Sequence, residues 1–400
     1  MILHAAIGDP KVDPGIDPGI DPGIHAAREE FTALRRDLHR HPELAFQEVR
    51  TSGLVAERLR AYGYAVTTGL AGTGVVGRLR KGRGARRLGL RADMDALPIA
   101  EATTLSYRSE APGRMHACGH DGHTAILLAA AKRLAEVDFS GTLTLIFQPA
   151  EEIGAGARGL LDAGLFERFP VDAVFGLHNW PGVPRGRFGL VAGPAMAAVD
   201  KAEIRIVGRG GHGAAPHETV DPVVAASAIV LALQSIVARN VDPREAAVVS
   251  VGAIHGGEAS NVIPDAVDLS LTLRSFDPAV RDRLEARVRA IVRGVAEGYG
   301  ARADLRYRRG MPALVNHAAE TAFARDVARQ AFGPARIETD FRPRMASEDF
   351  AYLLEARPGS YLFVGNGDSA PLHSPLYDFD DAIIAPAASL WVSLARSFLA

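Results

Sequence analysis

From Ala27 onward, apolar and polar positions alternate with two periods. Residues 28–40 (REEFTALRRDLHR) and 49–63 (VRTSGLVAERLRAYG) carry apolar residues at helical spacing, which predicts two helices. The runs AVTT, GVVGRLR and RLGLRADMD predict strands, and TAILLAAAKRLAEV predicts a helix rich in alanine and leucine. GTLTLIFQPAEE reads as a strand running into a polar turn, and VDAVFGLHNW as a strand with polar residues at its end. Strands alternating with helices predict an α/β layer with a largely parallel sheet. Ligands in such sheets sit beyond the carboxyl ends of strands. Asp93, Asp95, Glu151, Glu152 and His178 all fall at such ends.

The middle of the chain follows a different order. KAEIRIVG, VDPVVAASAIVLALQSIVA, AAVVSVGAI, AVDLSLTLRSF, PAVRDRLEARVRAIVRGVAEGYG and ARADLRYRR read β-α-β-β-α-β, a ferredoxin-like unit. The predicted architecture is a discontinuous catalytic α/β domain over residues 27–196 and 311–400. The smaller domain is inserted at 197–310. Residues 12–24 repeat Asp-Pro-Gly-Ile, which favours turns, so residues 1–26 are expected to form a disordered tail.

Composition narrows the function classes. The formal net charge of −2 gives no bulk pull toward nucleic acid or anionic membrane. Only four of the 45 basic residues are lysine. No apolar run is read as reaching the ~18 residues of a membrane span. The start MILHAAIGDP has no basic, then apolar, signal pattern. A single cysteine and no export signal lead to the expectation of a reducing cytoplasm.

That cysteine, Cys118, sits in HACGHDGHT with three of the thirteen histidines. A lone thiol forms no internal disulfide. It can be a small buried hydrophobe, a nucleophile paired with a distant His, or a metal ligand among imidazoles. A nucleophile would leave the paired acids Glu151 and Glu152 unexplained. Adjacent carboxylates at a strand end can divide labour, one ligating and one moving a proton. His178 follows an apolar strand, and His373 lies in a Pro-rich loop. GTGVVG (72–77) matches G-x-G-x-x-G, but the residues after it read as strand and turn, not the helix a dinucleotide needs.

With these segments in order, residues 28–400 resemble the M20 metallopeptidase/amidohydrolase family, in its aminoacylase-like branch of hippurate hydrolases and IAA-amino acid amidohydrolases. The resemblance rests on LHRHPELAFQE, RADMDALPI, MHACGHDGHTA, QPAEE, GLHNWPG, GRGGHGAAPH, GGEASNVIPD, LRSF, SEDF and PLHSP. It implies a phosphorylase/hydrolase-like catalytic domain, an inserted lid that dimerises, and an amide hydrolase using two divalent ions (Mn²⁺, Zn²⁺, Co²⁺ or Ni²⁺). The implied metal ligands are Cys118, His120, Glu152, His178 and His373, with Cys118 bridging. Glu151 would be the general base, and His212 would hold the oxyanion from a neighbouring subunit. Asp95 would complete the catalytic group by orienting a ligand histidine. Asp93 stands where other branches carry a ligand His; His123 and Asp121 would hold the loop. Asn261 and Arg274 would bind the substrate carboxylate. Ile153, Leu271 and Ala346 depart from residues frequent in the family and bear on the substrate pocket. The implied substrate is an N-acyl or N-aroyl amino acid, with a dipeptide or an N-acetylated diamino acid as the alternative. The implied assembly is a homodimer or homotetramer. Glu151 beside Glu152 argues against a non-catalytic binder, which needs the ligand but not the base.

Overall fold

The computed structural model describes residues 19–400. They form two compact units. The first runs to Ala192 and resumes over Asn316–Phe341 and Leu353–Ala400; the second holds Gly193–Val315 and Arg342–Tyr352. The second unit is therefore wider than the 197–310 read from the sequence. It takes in residues 342–352 because Arg344 bridges to Met196 and Ser347 accepts a hydrogen bond from Arg274 at 2.5 Å.

In the first unit, helices α1 (Pro22–Ala26), α2 (Arg28–Arg40) and α3 (Val49–Ala61) precede strands β1 (Ala65–Leu70), β2 (Gly74–Lys81) and β3 (Arg87–Asp93). Helix α4 (His120–Glu136) follows, then β4 (Gly141–Gln148) and β5 (Ala173–Trp180). The eight-stranded sheet has the order β1-β2-β4-β3-β5, then Gly359–Gly365, Phe188–Gly189 and Ile337–Glu338. The centre, β4-β3-β5 and Gly359–Gly365, is parallel, but β1-β2 and β2-β4 pair antiparallel. The largely parallel sheet read from the sequence is thus mixed, because the GTGVVG segment closes a β1-β2 hairpin. Strand β4 is buried along its whole length, as a central strand covered on both faces should be. Helix α4 is buried over most of its length and packs on α2, β3 and the closing helix Ile384–Phe398. Truncating one of its leucines, such as Leu127, to Ala should cost ~2–5 kcal/mol.

The expected tail needs correction for its last residues. Residues 1–18 lie outside the described residues. In the third Asp-Pro-Gly-Ile copy, Asp21 caps α1 by accepting from the Gly23 and Ile24 amides, and Pro22 opens the helix. Ile24 is buried in the core, and Asp21 pairs with Arg133 at 2.7 Å.

The second unit has a four-stranded antiparallel sheet in the order Ala247–His255, Ala266–Ser275, Ala198–Val207, Arg302–Arg309. Burial alternates along Ala198–Val207, so one face is solvated and the other carries the core. Helices Pro222–Leu233 and Pro278–Gly298 cover that inner face, giving the β-α-β-β-α-β unit. Pro222–Asn240 is long and apolar enough by composition to cross a membrane, which the sequence reading missed. Ala225, Ala226, Ile229 and Leu233 nevertheless pack in this unit's core, and the segment is two helices that meet at Gln234.

Candidate metal centre

The sheet brings the acidic and histidine-bearing strand ends together. Asp93 ends β3, the Pro149–Glu152 turn follows β4, and His178 lies near the end of β5. Cys118 and His120 flank Gly119 at the start of α4. Gly119 has φ +89°, and a side chain there would collide with the Asn179 amide and come within 2.7 Å of the Tyr377 hydroxyl. Glycine is thus required for the loop to deliver both side chains.

Donor atoms form overlapping groups, each within 4.8 Å. One group is Cys118, His120 and His178; a second is Cys118, Glu152 and His373; a third is His120, Glu151 and Glu152. Cys118 belongs to the first two, as a bridging sulfur must. Its Sγ lies 3.4 Å from His178 Nε2. His373 Nε2 is 3.4 Å from Glu152, and its own backbone is left-handed at φ +65°.

The tautomers suit ligation. His120 Nδ1 donates to the Asp95 carbonyl at 2.9 Å, and His178 Nδ1 donates to the Asn179 carbonyl at 2.5 Å. In the neutral rings both would leave Nε2 as a lone pair, and a bound cation would displace the proton that the surrounding carboxylates otherwise hold on His120. His123 is different: Nδ1 donates to Asp93 at 2.6 Å, while Nε2 accepts from the Asn179 amide at 3.0 Å. With both nitrogens engaged, His123 is a loop-holding residue despite its closeness to Asp93 and His120. Asp93 is likewise spoken for, by His123 and by Arg91 at 2.6 Å.

Electrostatics of the protein groups alone call for cations. His120 Nε2 and Glu152 Oε1 are buried without hydrogen-bond partners, which is costly unless something else binds them. Burial pushes Glu152 up to about 7, with His120 opposing and Asp95 adding to the rise. Burial, Glu152 and Glu151 push the Cys118 thiol up. His120 rises to about 10, because Asp93, Asp95 and Glu152 outweigh its burial. Burial keeps His178 neutral. A thiol, three imidazoles and two carboxylates suit divalent transition-metal ions, which would reverse these penalties.

Asp95 holds the site in two ways. His120 Nδ1 lies 2.9 Å from its carbonyl and 3.3 Å from its carboxylate. Its carboxylate also accepts the backbone amides of Glu151 at 3.1 Å and Glu152 at 3.0 Å. Asp95 is thus a positioning residue. Asp121 accepts from His39 Nδ1 at 2.8 Å, tying α4 to α2. Sequence reasoning missed Asn179, whose side chain donates to the Cys118 carbonyl at 2.7 Å and accepts from Tyr377 at 2.7 Å. It also missed buried Arg35 and His39. The signal was present, since both occupy the apolar stripe of α2 with Phe31 and Leu38.

The other expected site residues belong to the second unit. His212 and Asn261 lie together, because Gly211–His212 pairs with Val262–Ile263 and the Gly213 amide donates to the Asn261 carbonyl at 2.8 Å. His212 Nδ1 accepts from the Ala214 amide at 3.0 Å, so the neutral ring carries its proton on Nε2. Arg274 is on strand Ala266–Ser275, beside Ser347.

Two donor groups sharing one sulfur, with a carboxylate to spare, define a metal-dependent hydrolase. Residues 89–397 match the profile of Peptidase family M20/M25/M40, and the chain belongs to that family as a metal-dependent amidohydrolase. It is 44% identical to the hippurate hydrolase of Campylobacter jejuni over 92% of this chain and 97% of the relative. It is 40% identical to the N-acetyl-L-cysteine deacetylase of Bacillus subtilis over 92% and 88%. The crystal structure of the Bacillus subtilis YXEP protein, a dinuclear metal binding peptidase of the M20 family, superposes with a TM-score of 0.80. Identity there is 34%, covering 94% of this chain and 99% of that one.

Proposed function

We propose that this chain hydrolyses the amide bond of N-acyl or N-aroyl amino acids, using two divalent ions. The observation that carries this reading is the sharing of Cys118 between two donor groups with Glu151 alongside. Cys118, His120 and His178 would hold one ion; Cys118, Glu152 and His373 would hold the other. Bound divalent ions polarise a carbonyl and acidify water. Glu151 takes the proton from the attacking water and returns it to the leaving amine. Asp95 fixes the backbone from which Glu151 projects. His212 presents Nε2–H to the oxyanion at a neighbouring subunit's site, and Asn261 and Arg274 bind the substrate carboxylate. Loss of one such oxyanion donor costs ~100–1,000-fold in rate.

The relatives named for hippurate and N-acetyl-L-cysteine support an acyl or aroyl amino acid over a dipeptide. Mn²⁺, Zn²⁺, Co²⁺ and Ni²⁺ all suit this donor set. A thiolate ligand favours a reducing compartment, in keeping with a cytoplasmic enzyme. Val224 and Leu231 expose apolar surface on Pro222–Leu233, which supports a homo-oligomer formed through the second unit.

The test is a panel of N-acetyl, N-benzoyl and dipeptide substrates, assayed with each metal and after chelation. Metal-dependent release of free amino acid from an acyl substrate is expected. Turnover that survives exhaustive chelation, or activity on dipeptides alone, would overturn the reading.

A further inference from the structure

Three consecutive backbone amides, those of Ala150, Glu151 and Glu152, each donate to a buried carboxylate. Asp95 takes the second and third. The first goes to Glu48, whose Oε1 accepts from Ala150 at 2.9 Å across 102 residues of sequence. The other Glu48 oxygen accepts from the Thr73 hydroxyl at 2.6 Å. Glu48 is fully buried and makes no ion pair among the described residues. A buried carboxylate held only by neutral donors is costly, so its place needs a reason.

The backbone supplies one. Ala150 is left-handed at φ +54°, a conformation unfavourable for a residue with a Cβ. Such strain persists only where the surroundings over-determine it. Here the chain must turn sharply out of β4 so that Glu151 and Glu152, one residue apart, project toward the same donor atoms. The Ala155 and Gly156 amides close this turn onto the Ala150 carbonyl at 3.2 and 3.1 Å. On the other side, Leu44 bridges to Ala96 and the Ala96 amide donates to the Glu43 carbonyl at 2.8 Å, fixing the segment that leads to Glu48 beside Asp95.

We infer that Glu48 is a positioning residue for the paired glutamates: by accepting the Ala150 amide it holds that residue left-handed and so sets the directions of Glu151 and Glu152. This deepens, and rests on, the reading of Glu152 as a ligand and Glu151 as the base. The role needs an acceptor at Oε1, not a negative charge.

The test compares Glu48→Gln, Glu48→Ala and Glu48→Ala/Ala150→Gly with wild type. Co²⁺ affinity of the metal-free protein, kcat, KM and melting temperature are measured for each. Glu48→Gln keeps a carbonyl acceptor for Ala150, and its amide can donate to Thr73. Its Co²⁺ affinity and kcat should stay within about threefold of wild type. Glu48→Ala should bind Co²⁺ at least about tenfold more weakly and lose at least about tenfold in kcat, with KM changed far less. Glycine adopts the left-handed conformation without strain, so Ala150→Gly should restore part of both losses. A packing role would not give that suppression. The inference is overturned if Glu48→Ala binds Co²⁺ like wild type, or if Ala150→Gly restores nothing. It is equally overturned if Glu48→Gln is as damaged as Glu48→Ala. Should Glu48→Ala fail to fold, Glu48→Asp, with its acceptor drawn back by one methylene, takes its place with the same expected losses. The Co²⁺ titration needs no substrate, so wild type that binds Co²⁺ but hydrolyses no acyl amino acid would count against the substrate reading alone.

Discussion

Neighbouring residues of like chemistry fall in different donor groups here. Glu152 shares its donor group with Cys118 and His373, while Glu151 shares one with His120 and Glu152. Glu151→Gln keeps the size and an amide oxygen but cannot take a proton. It should retain metal, measured by elemental mass spectrometry, and lose ~100–10,000-fold in kcat, the range of a positioned general base. Activity within about threefold of wild type, under ~1 kcal/mol of barrier, would remove it from the base role. Cys118 gives the complementary case. Burial and two nearby carboxylates push its thiol up, so without a cation it is a poor nucleophile, and under the proposed function a bound cation would make it a thiolate ligand. Cys118→Asp should keep part of the activity, since a carboxylate can also bridge, whereas Cys118→Ala should lose most of its metal. A thiol alkylator should label the chelated protein slowly, and faster as pH rises, because the thiol is buried and pushed up; added metal should block even that labelling, and equal labelling of both would refute the ligand role.

At the scale of elements, α2 shows what the apolar pattern hides. Its spacing predicted a helix, and Phe31, Leu34 and Leu38 do face the core, but Arg35 and His39 share that face and are fully buried. Burial would pull His39 down, but Asp121 at 2.8 Å and Glu101 at 3.4 Å outweigh it and push it up to about 9. A group whose folded pKa is raised lends stability that is complete below its unfolded value of 6.5 and fades as pH rises through about 9. The span corresponds to about 3 kcal/mol, lost between roughly pH 6.5 and 9. Thermal melts of wild type should therefore fall across that window, and those of His39→Gln should start lower and fall less; parallel curves would show that His39 stays neutral. Strands and helices with local apolar patterns were legible in the sequence, as β4, β5 and α4 show. Strand direction was not, because pairing β2 with β4 depends on residues far apart. Helix α1 was missed because Asp-Pro-Gly starts a turn and a capped helix alike; only the burial of Ile24 decides between them. The donor residues were legible as motifs. Asp95 was legible from its motif as a residue that orients a histidine, but its amide partners and the role of Glu48 were not, since Glu48 and Asp95 reach their amides across 102 and 56 residues.

At the scale of the whole molecule, the chemistry is split between two separately built units. Every proposed metal ligand and the base lie in the first; His212 lies in the second, exposed on a two-stranded ribbon with its Nε2–H free to donate. Val224 and Leu231 on one helix of that unit, and Ile254 on its edge strand, leave apolar groups exposed, the kind of surface the proposed homo-oligomer would cover. Two-fold pairing through it would let each subunit lend its ribbon to the other. Mixing His212→Ala with Glu151→Gln, each inactive alone, tests this. In a mixed dimer the His212→Ala subunit supplies Glu151 and receives His212 from its partner, so one site is complete and the other lacks both residues. Random exchange makes about half the dimers mixed, so recovery should approach about a quarter of the wild-type rate, rising with the time allowed for exchange. Exchange demonstrated by differently tagged subunits, with no recovery, would mean that His212 serves its own chain's site or none.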